Sequence, residues 1–135
     1  MQDAATAAAR SMDTPFDLIG GAEGVRRLCE RFYAVMAEDA SAKTLRDMHG
    51  PDLGPITDKL TLFLTAWMGG PRDYFAQPEA PCIMSVHKRL PIGAAERDQW
   101  LHCMARALKE TGASEEARAM LNPAFARIAD AMRSQ

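Results

Sequence analysis

His87, Tyr33, His49 and Trp100 are the side chains of this sequence with the most chemistry to offer inside an apolar setting. A neutral imidazole can ligate iron through one nitrogen while the other donates a hydrogen bond; a phenol or an indole can donate to an oxygen atom, and an indole never accepts. Residues 82–104, CIMSVHKRLPIGAAERDQWLHCM, carry two of the four. His87 lies near the end of one helical segment, Pro91 and Gly93 break it, and a second helix sets Trp100, Cys103, Met104, Ala107 and Leu108 on one face. A histidine opposite such a wall could be an iron ligand. It could equally be a core histidine whose ring nitrogens bond to backbone, the commoner situation for a lone His. Tyr33 has two readings as well, a donor at the edge of the core or a hydroxyl in water. His49 sits at a hinge, where a surface histidine is unremarkable. Lys59 lies beside an apolar stripe, its amine able to reach an anion at the rim or simply solvated.

The elements that must position these groups all read as helices. Residues 1–13 have little to bury and are expected to be mobile. Thr14 and Pro15 read as the cap and first turn of a very short helix that Gly20 and Gly21 stop. A longer helix is expected over residues 22 to about 37, burying Val25, Leu28, Phe32 and Val35 or Met36, with Tyr33 sharing that face. Residues 38–54 are polar, with a short helical stretch at 43–48. Pro55 opens a helix whose stripe is Ile56, Leu60, Phe63, Leu64 and Trp67; Gly69 and Gly70 supply left-handed backbone at its end, and Pro71 forbids continuation. A short helix from about residue 81 carries Ile83, Met84, Val86 and His87. The helix over 94–111 places Glu96 and Asp98 in its first turns, Gly112 ends it and Ser114 caps the next. In that last helix Met120, Leu121, Phe125, Ile128 and Met132 share a face, and Pro123 predicts a kink or break. No period-two alternation survives, so the expectation is an all-α fold with a single domain over residues 14–135.

The bulk properties exclude several functions. A net charge of -2 over 135 residues gives no basic stripe for nucleic acid and no basic amphipathic helix for a membrane surface. No apolar run approaches a bilayer span, and the Ala-rich start with Asp3 lacks the form of a secretory signal, so a cytoplasmic protein is expected. Cys29, Cys82 and Cys103 stand at no metal-like spacing and fit reduced thiols, with Cys82 the one expected to be exposed. Nine methionines suit a core that moulds itself around an irregular guest, or simply a soft core. No phosphate loop, HExxH motif or nucleophile elbow is present, and Glu96 and Asp98 point in different directions on their helix.

The order of motifs is specific. His87, Pro91, Ile92, Glu96, Arg97, Asp98, Trp100, Leu101, Cys103 and Met104 form an HxxxPIxxxERDxWLxCM string. Upstream stand Gly20-Gly21, Arg31-Phe32-Tyr33, Leu45-Arg46-Asp47-Met48-His49, Lys59-Leu60, Phe63-Leu64, Trp67, Gly69-Gly70-Pro71 and Tyr74. In these motifs the chain resembles the truncated haemoglobins of group II over nearly everything after Thr14. The resemblance implies a truncated globin-like two-over-two helical sandwich around one haem b (iron protoporphyrin IX), with His87 as the iron ligand. It implies that Tyr33, His49 and Trp100 meet the bound diatomic, and that Ile56, Leu60, Phe63, Leu64, Val86, Ile92 and Met104 form the apolar walls. The arginines that many relatives carry ahead of the histidine are missing from residues 79–86, which leaves Lys59, Tyr74, Lys88 and Arg89 to meet the propionates. The implied partners are oxygen, nitric oxide, carbon monoxide or similar small ligands, and a reductase if the iron turns over; a homodimer is compatible. The implied function is reversible oxygen binding. A redox enzyme at the same haem (nitric oxide dioxygenase or peroxidase-like) and a haem-free sensor or scaffold are the alternatives.

Overall fold

A computed structural model describes residues 14–71, His87 and residues 90–134. They form α1 (Pro15–Leu18), α2 (Gly21–Glu38), a 3-10 turn (Ala40–Ala42), α3 (Lys43–Asp47), α4 (Gly54–Trp67), α5 (Ala94–Glu110) and α6 (Glu115–Ala131). No strand occurs among the described residues, and no helix among them is long and apolar enough to cross a membrane. The expectations for residues 1–13, for the loop around Tyr74 and Cys82, and for Val86, Lys88 and Arg89 lie outside the described residues.

The helices begin and end where local chemistry directs. Thr14 accepts a hydrogen bond from the Asp17 amide while the Asp17 carboxylate takes the Thr14 N–H, a reciprocal cap that stabilises even a four-residue helix. Gly20 and Gly21 follow with φ of 100° and 70°, the left-handed region that turns the chain into α2. Ser114 caps α6 through the Ala117 amide, and Gly112 at φ 81° closes α5.

Packing then joins α2 to both α4 and α5, and α5 to α6, so that the α2–α4 and α5–α6 pairs lie one over the other. The buried face of α2 is the expected one: Val25, Leu28, Phe32, Val35 and Met36 are all sealed from solvent. Each such side chain contributes about 1.5–3 kcal/mol of burial free energy. Cys103, Met104, Ala107 and Leu108 of α5 meet them. On α4, Thr57, Thr61 and Thr65 return their hydroxyls to the carbonyls of Leu53, Thr57 and Thr61 at 2.6–2.7 Å, which satisfies the buried Thr57 without a partner helix. Gly24 is demanded by contact: a Cβ there would sit 1.8 Å from the Ile19 carbonyl oxygen.

Three expectations need correction. Pro123 does not break the last helix, since α6 runs on to Ala131. The carbonyl four residues earlier belongs to Ala119, and Ala119, Asn122 and Pro123 all face solvent, where water can take the lost hydrogen bond. Met120 is 43 % exposed; the buried face of α6 runs through Ala117, Leu121, Phe125 and Ala129, and Met120 lies about 100° around the helix from Leu121. Only Gly69 of the Gly69-Gly70 pair has left-handed backbone. Gly70 is required instead by space, because a Cβ there would lie 2.6 Å from the Phe16 ring.

Candidate functional site

Helix α2 brings Tyr33 to the margin of the core beside Phe32, with which it packs edge to face at 4.9 Å between ring centres. Phe32 in turn lies 5.3 Å from the Trp100 ring of α5, and the far side of Trp100 meets Phe125 of α6 at 5.5 Å. Trp67, from the end of α4, stacks on Phe125 at 4.9 Å. All four long helices therefore contribute a ring to one aromatic layer. Such contacts hold each ring in a single orientation, at about 0.5–1.5 kcal/mol per pair beyond burial.

His49 reaches the same region from the turn after α3, its ring 5.8 Å from that of Tyr33 and nearly perpendicular to it. Its Nδ1 lies 2.9 Å from the Leu45 carbonyl oxygen. A carbonyl only accepts, so Nδ1 carries the proton and Nε2 presents a lone pair while the ring is neutral. Burial holds the imidazole below its ordinary pKa against the opposing effect of the Leu45 bond, and repulsion from Arg46 and His87 adds to the depression. The turn is pinned by Arg46, whose guanidinium donates to the carbonyls of Gly50 at 3.0 Å, Pro51 at 3.4 Å and His49 at 3.5 Å. Leu45 N–H in its turn donates to Gln99 Oε1 of α5 at 3.0 Å.

Tyr33 is 6 % exposed, and burial, with the nearby Cys29 thiol adding to it, pushes its phenol pKa up. It stays a neutral O–H donor across the physiological range. Among the described residues no hydrogen-bond acceptor meets the Tyr33 hydroxyl or the Trp100 indole N–H. Cys29 and Cys103 are sealed in the core, where burial pushes both thiols up to about 11, as expected of reduced, inert cysteines.

His87 is helical and half-buried, and residues 90–92 are stitched to Ser134. Leu90 N–H donates to the His87 carbonyl at 3.0 Å; Ser134 Oγ donates to the Leu90 carbonyl at 2.6 Å and accepts from Ile92 N–H at 3.1 Å, while Ser134 N–H donates to the Ile92 carbonyl at 2.9 Å. Ile92 is buried by this arrangement. Of the expected walls, Phe63, Leu64 and Met104 are buried in the core, whereas Ile56 and Leu60 are half-buried apolar surface packed against it. Lys59 is exposed on α4. A flat apolar macrocycle with an iron at its centre fits this donor set: an imidazole at His87, half-buried apolar and aromatic faces at Ile56, Leu60, Trp67 and Trp100, and hydrogen-bond donors at Tyr33 and Trp100.

Phe125, Gln99, Ser134 and the Arg46 clamp were not legible as site residues. Phe125 reads as one more core position on its helix, Gln99 and Ser134 act on partners more than forty residues away, and the Arg46 clamp depends on how the turn after α3 curls back on that side chain.

The Bacterial-like globin family profile matches residues 14–134. The group 2 truncated haemoglobin YjbI of Bacillus subtilis (strain 168) is 31 % identical over 112 residues, covering 83 % of this chain and 82 % of that protein. The cold-adapted truncated haemoglobin of the Antarctic marine bacterium Pseudoalteromonas haloplanktis TAC125 superposes with a TM-score of 0.85 at 34 % identity, covering 91 % of this chain and 99 % of that one. The group II 2-on-2 haemoglobin of the plant pathogen Agrobacterium tumefaciens does so with a TM-score of 0.84 at 35 % identity, covering 90 % and 95 %. Two helix pairs stacked with α2 on α5, an aromatic layer drawn from all four long helices and a profile match over essentially the whole described chain have one meaning: the chain belongs to the bacterial-like globins, as a truncated haemoglobin of group II with the two-over-two fold.

Proposed function

We propose that this globin holds haem b through His87 and binds oxygen and other diatomics reversibly beside Tyr33 and Trp100. The observation that carries the reading is the grouping of Tyr33, Trp100 and His49 around Phe32 in one aromatic layer, in a chain whose family implies haem. Bound haem supplies an iron that takes such ligands reversibly. The chain's own part is to orient, donate and exclude water. The His87 imidazole is the one suited to ligate, and Ser134 steadies Leu90 and Ile92 beyond it. Tyr33 O–H and Trp100 N–H donate to a ligand atom that gains negative charge, from rings that packing prevents from turning away. His49, with its proton committed to Leu45, offers Nε2 as an acceptor, suited to orienting the Tyr33 hydroxyl or a water rather than to donating. Ile56, Leu60, Phe63, Leu64, Ile92 and Met104 keep the site dry. Lys59, exposed on α4, has an amine suited to meet a propionate.

The test is the absorption spectrum of the purified protein with one equivalent of haemin in its ferric, reduced and carbon monoxide states. A sharp Soret band of the histidine-ligated type is expected, and His87→Ala should abolish it or restore it only with added imidazole. An unchanged spectrum in that variant would overturn the ligand assignment; broad absorption lost on gel filtration would favour a haem-free scaffold. Tyr33→Phe and Trp100→Phe should each speed oxygen release, since a charge-assisted hydrogen bond contributes about 1.5–3 kcal/mol. Stopped-flow release rates equal to those of the parent would show that the donors face elsewhere.

A further inference from the structure

We propose that Gln99 is a positioning residue of the ligand pocket, acting through Leu45 to hold the His49 ring in one tautomer and one orientation. The proposal rests on the reading of His49 as a residue of that pocket. Helix α3 is a single short turn whose N-cap, Ala42, has no side chain with which to cap it. The Leu45 amide, third in the helix, would ordinarily go without a partner. Gln99 Oε1 takes that proton at 3.0 Å from 54 residues away, a cap delivered by a different helix. The Leu45 side chain is 7 % exposed, so the residue is held by burial on one side and by Gln99 on the other.

The other end of Leu45 does the positioning. Its carbonyl accepts from His49 Nδ1–H at 2.9 Å and from the Met48 amide at 3.1 Å. The amide bond to Gln99 and the burial of the side chain fix the Leu45 Cα, and the Met48 N–H holds the carbonyl of the next peptide plane, so the acceptor for Nδ1–H stays in place and Nε2 is kept deprotonated. An imidazole whose remote nitrogen is tied to a backbone carbonyl is fixed in tautomer and orientation, which is the usual means of presenting a histidine to a ligand. Gln99 immediately precedes Trp100 on α5. One turn of that helix therefore sets both the Trp100 donor and, at one remove, the His49 acceptor, and a shift of α5 moves them together. A side chain at position 99 with no acceptor would leave Trp100 in its aromatic layer and release only His49.

Imidazole nitrogen chemical shifts of His49, read by NMR in the diamagnetic ferrous carbonyl form, test this directly. The parent should show a single Nδ1-protonated ring and one sharp C–O stretching band. Gln99→Leu, which keeps the bulk and removes the acceptor, should give mixed tautomers and a broadened or split band. Gln99→Glu, which keeps an acceptor, should restore the single form, a rescue that a loss of packing would not show. A Gln99→Leu protein with the parent's tautomer and band would overturn the proposal. If that variant does not fold, amide exchange in the parent decides: Leu45 N–H should exchange much more slowly than Thr44 N–H, and equal rates would mean the cap is not formed. Failure of the haem reading is separately visible as a missing Soret band, and in that event the same nitrogen shifts in the isolated protein still report whether Gln99 governs the ring.

Discussion

The two walls that meet at Tyr33 are built on different principles. The α2–α5 wall is a matter of volume: Phe32, Met36, Met104 and Leu108 are sealed, and Tyr33 and Trp100 inherit their positions from rings packed on every side. The α3–α4 wall is a matter of backbone hydrogen bonds: His49 hangs on the Leu45 carbonyl, Arg46 gathers three successive carbonyls of the turn, and Gln99 anchors the amide behind them. The difference teaches which parts of the pocket tolerate change in size and which tolerate change in chemistry. A packed wall resists volume changes and is indifferent to hydrogen bonding. A wall of tethered turns has the opposite sensitivities.

The strongest way to break the contrast is a methyl group. Gly24→Ala places a Cβ 1.8 Å from the Ile19 carbonyl, so α1 must move off α2, and the loss of stability should exceed the ~1–3 kcal/mol of ordinary overpacking. Gly50→Ala, beside His49, meets nothing within 4 Å and should change stability by less than about 0.5 kcal/mol. Urea unfolding of the two variants side by side measures the comparison; similar losses would mean that the α1–α2 corner is no more tightly packed than the turn after α3. Next in size is Arg46→Met, which keeps the aliphatic stem and removes the clamp. It should cost about 1–2 kcal/mol and raise amide exchange in the turn after α3 while leaving exchange in α2 unchanged. Uniform acceleration across both regions would show that the clamp serves global rather than local order.

The smallest effect concerns the joint between the walls. Asp39, at the end of α2, accepts from Ser41 N–H at 2.9 Å and Ser41 O–H at 2.7 Å, and meets His102 Nε2 at 2.8 Å and Arg106 at 3.4 Å. The Ser41 bonds first, then His102, hold its carboxylate well below the ordinary value of 3.8. A depressed carboxylate contributes stability that is fully present above the unfolded pKa and is lost as pH falls through the folded one. Thermal unfolding of the parent and of Asp39→Asn should therefore differ at neutral pH and converge as the pH drops below about 4. A difference that persists unchanged into acid would mean that the carboxylate charge is not what joins α2 to α5.

Much of the packed wall was legible before folding was considered. The 3.6-residue spacing of Val25, Leu28, Phe32 and Val35, the caps at Thr14 and Ser114 and the stop at Gly112 are all consequences of local chemistry, and each stands where it was expected. The same local rules misled at Pro123, where an exposed helix face absorbs a lost hydrogen bond, and at Met120, which falls just outside the buried arc. Gly70 was read for the freedom of its backbone when the ring of Phe16 was the reason for it.

By itself, then, the sequence determined the helices and the faces they bury, because periodicity and capping are properties of neighbours along the chain; the candidates His87, Tyr33, His49 and Trp100 came from the resemblance of its motifs to the truncated haemoglobins. Only the tertiary structure decided which proton His49 keeps, which helix caps α3, and that Ser134 fastens Leu90 and Ile92. Those outcomes depend on hydrogen bonds between residues separated by a backbone turn or by more than forty positions. Nothing in the spacing of residue types encodes such a bond until packing has brought its two ends within 3 Å or so.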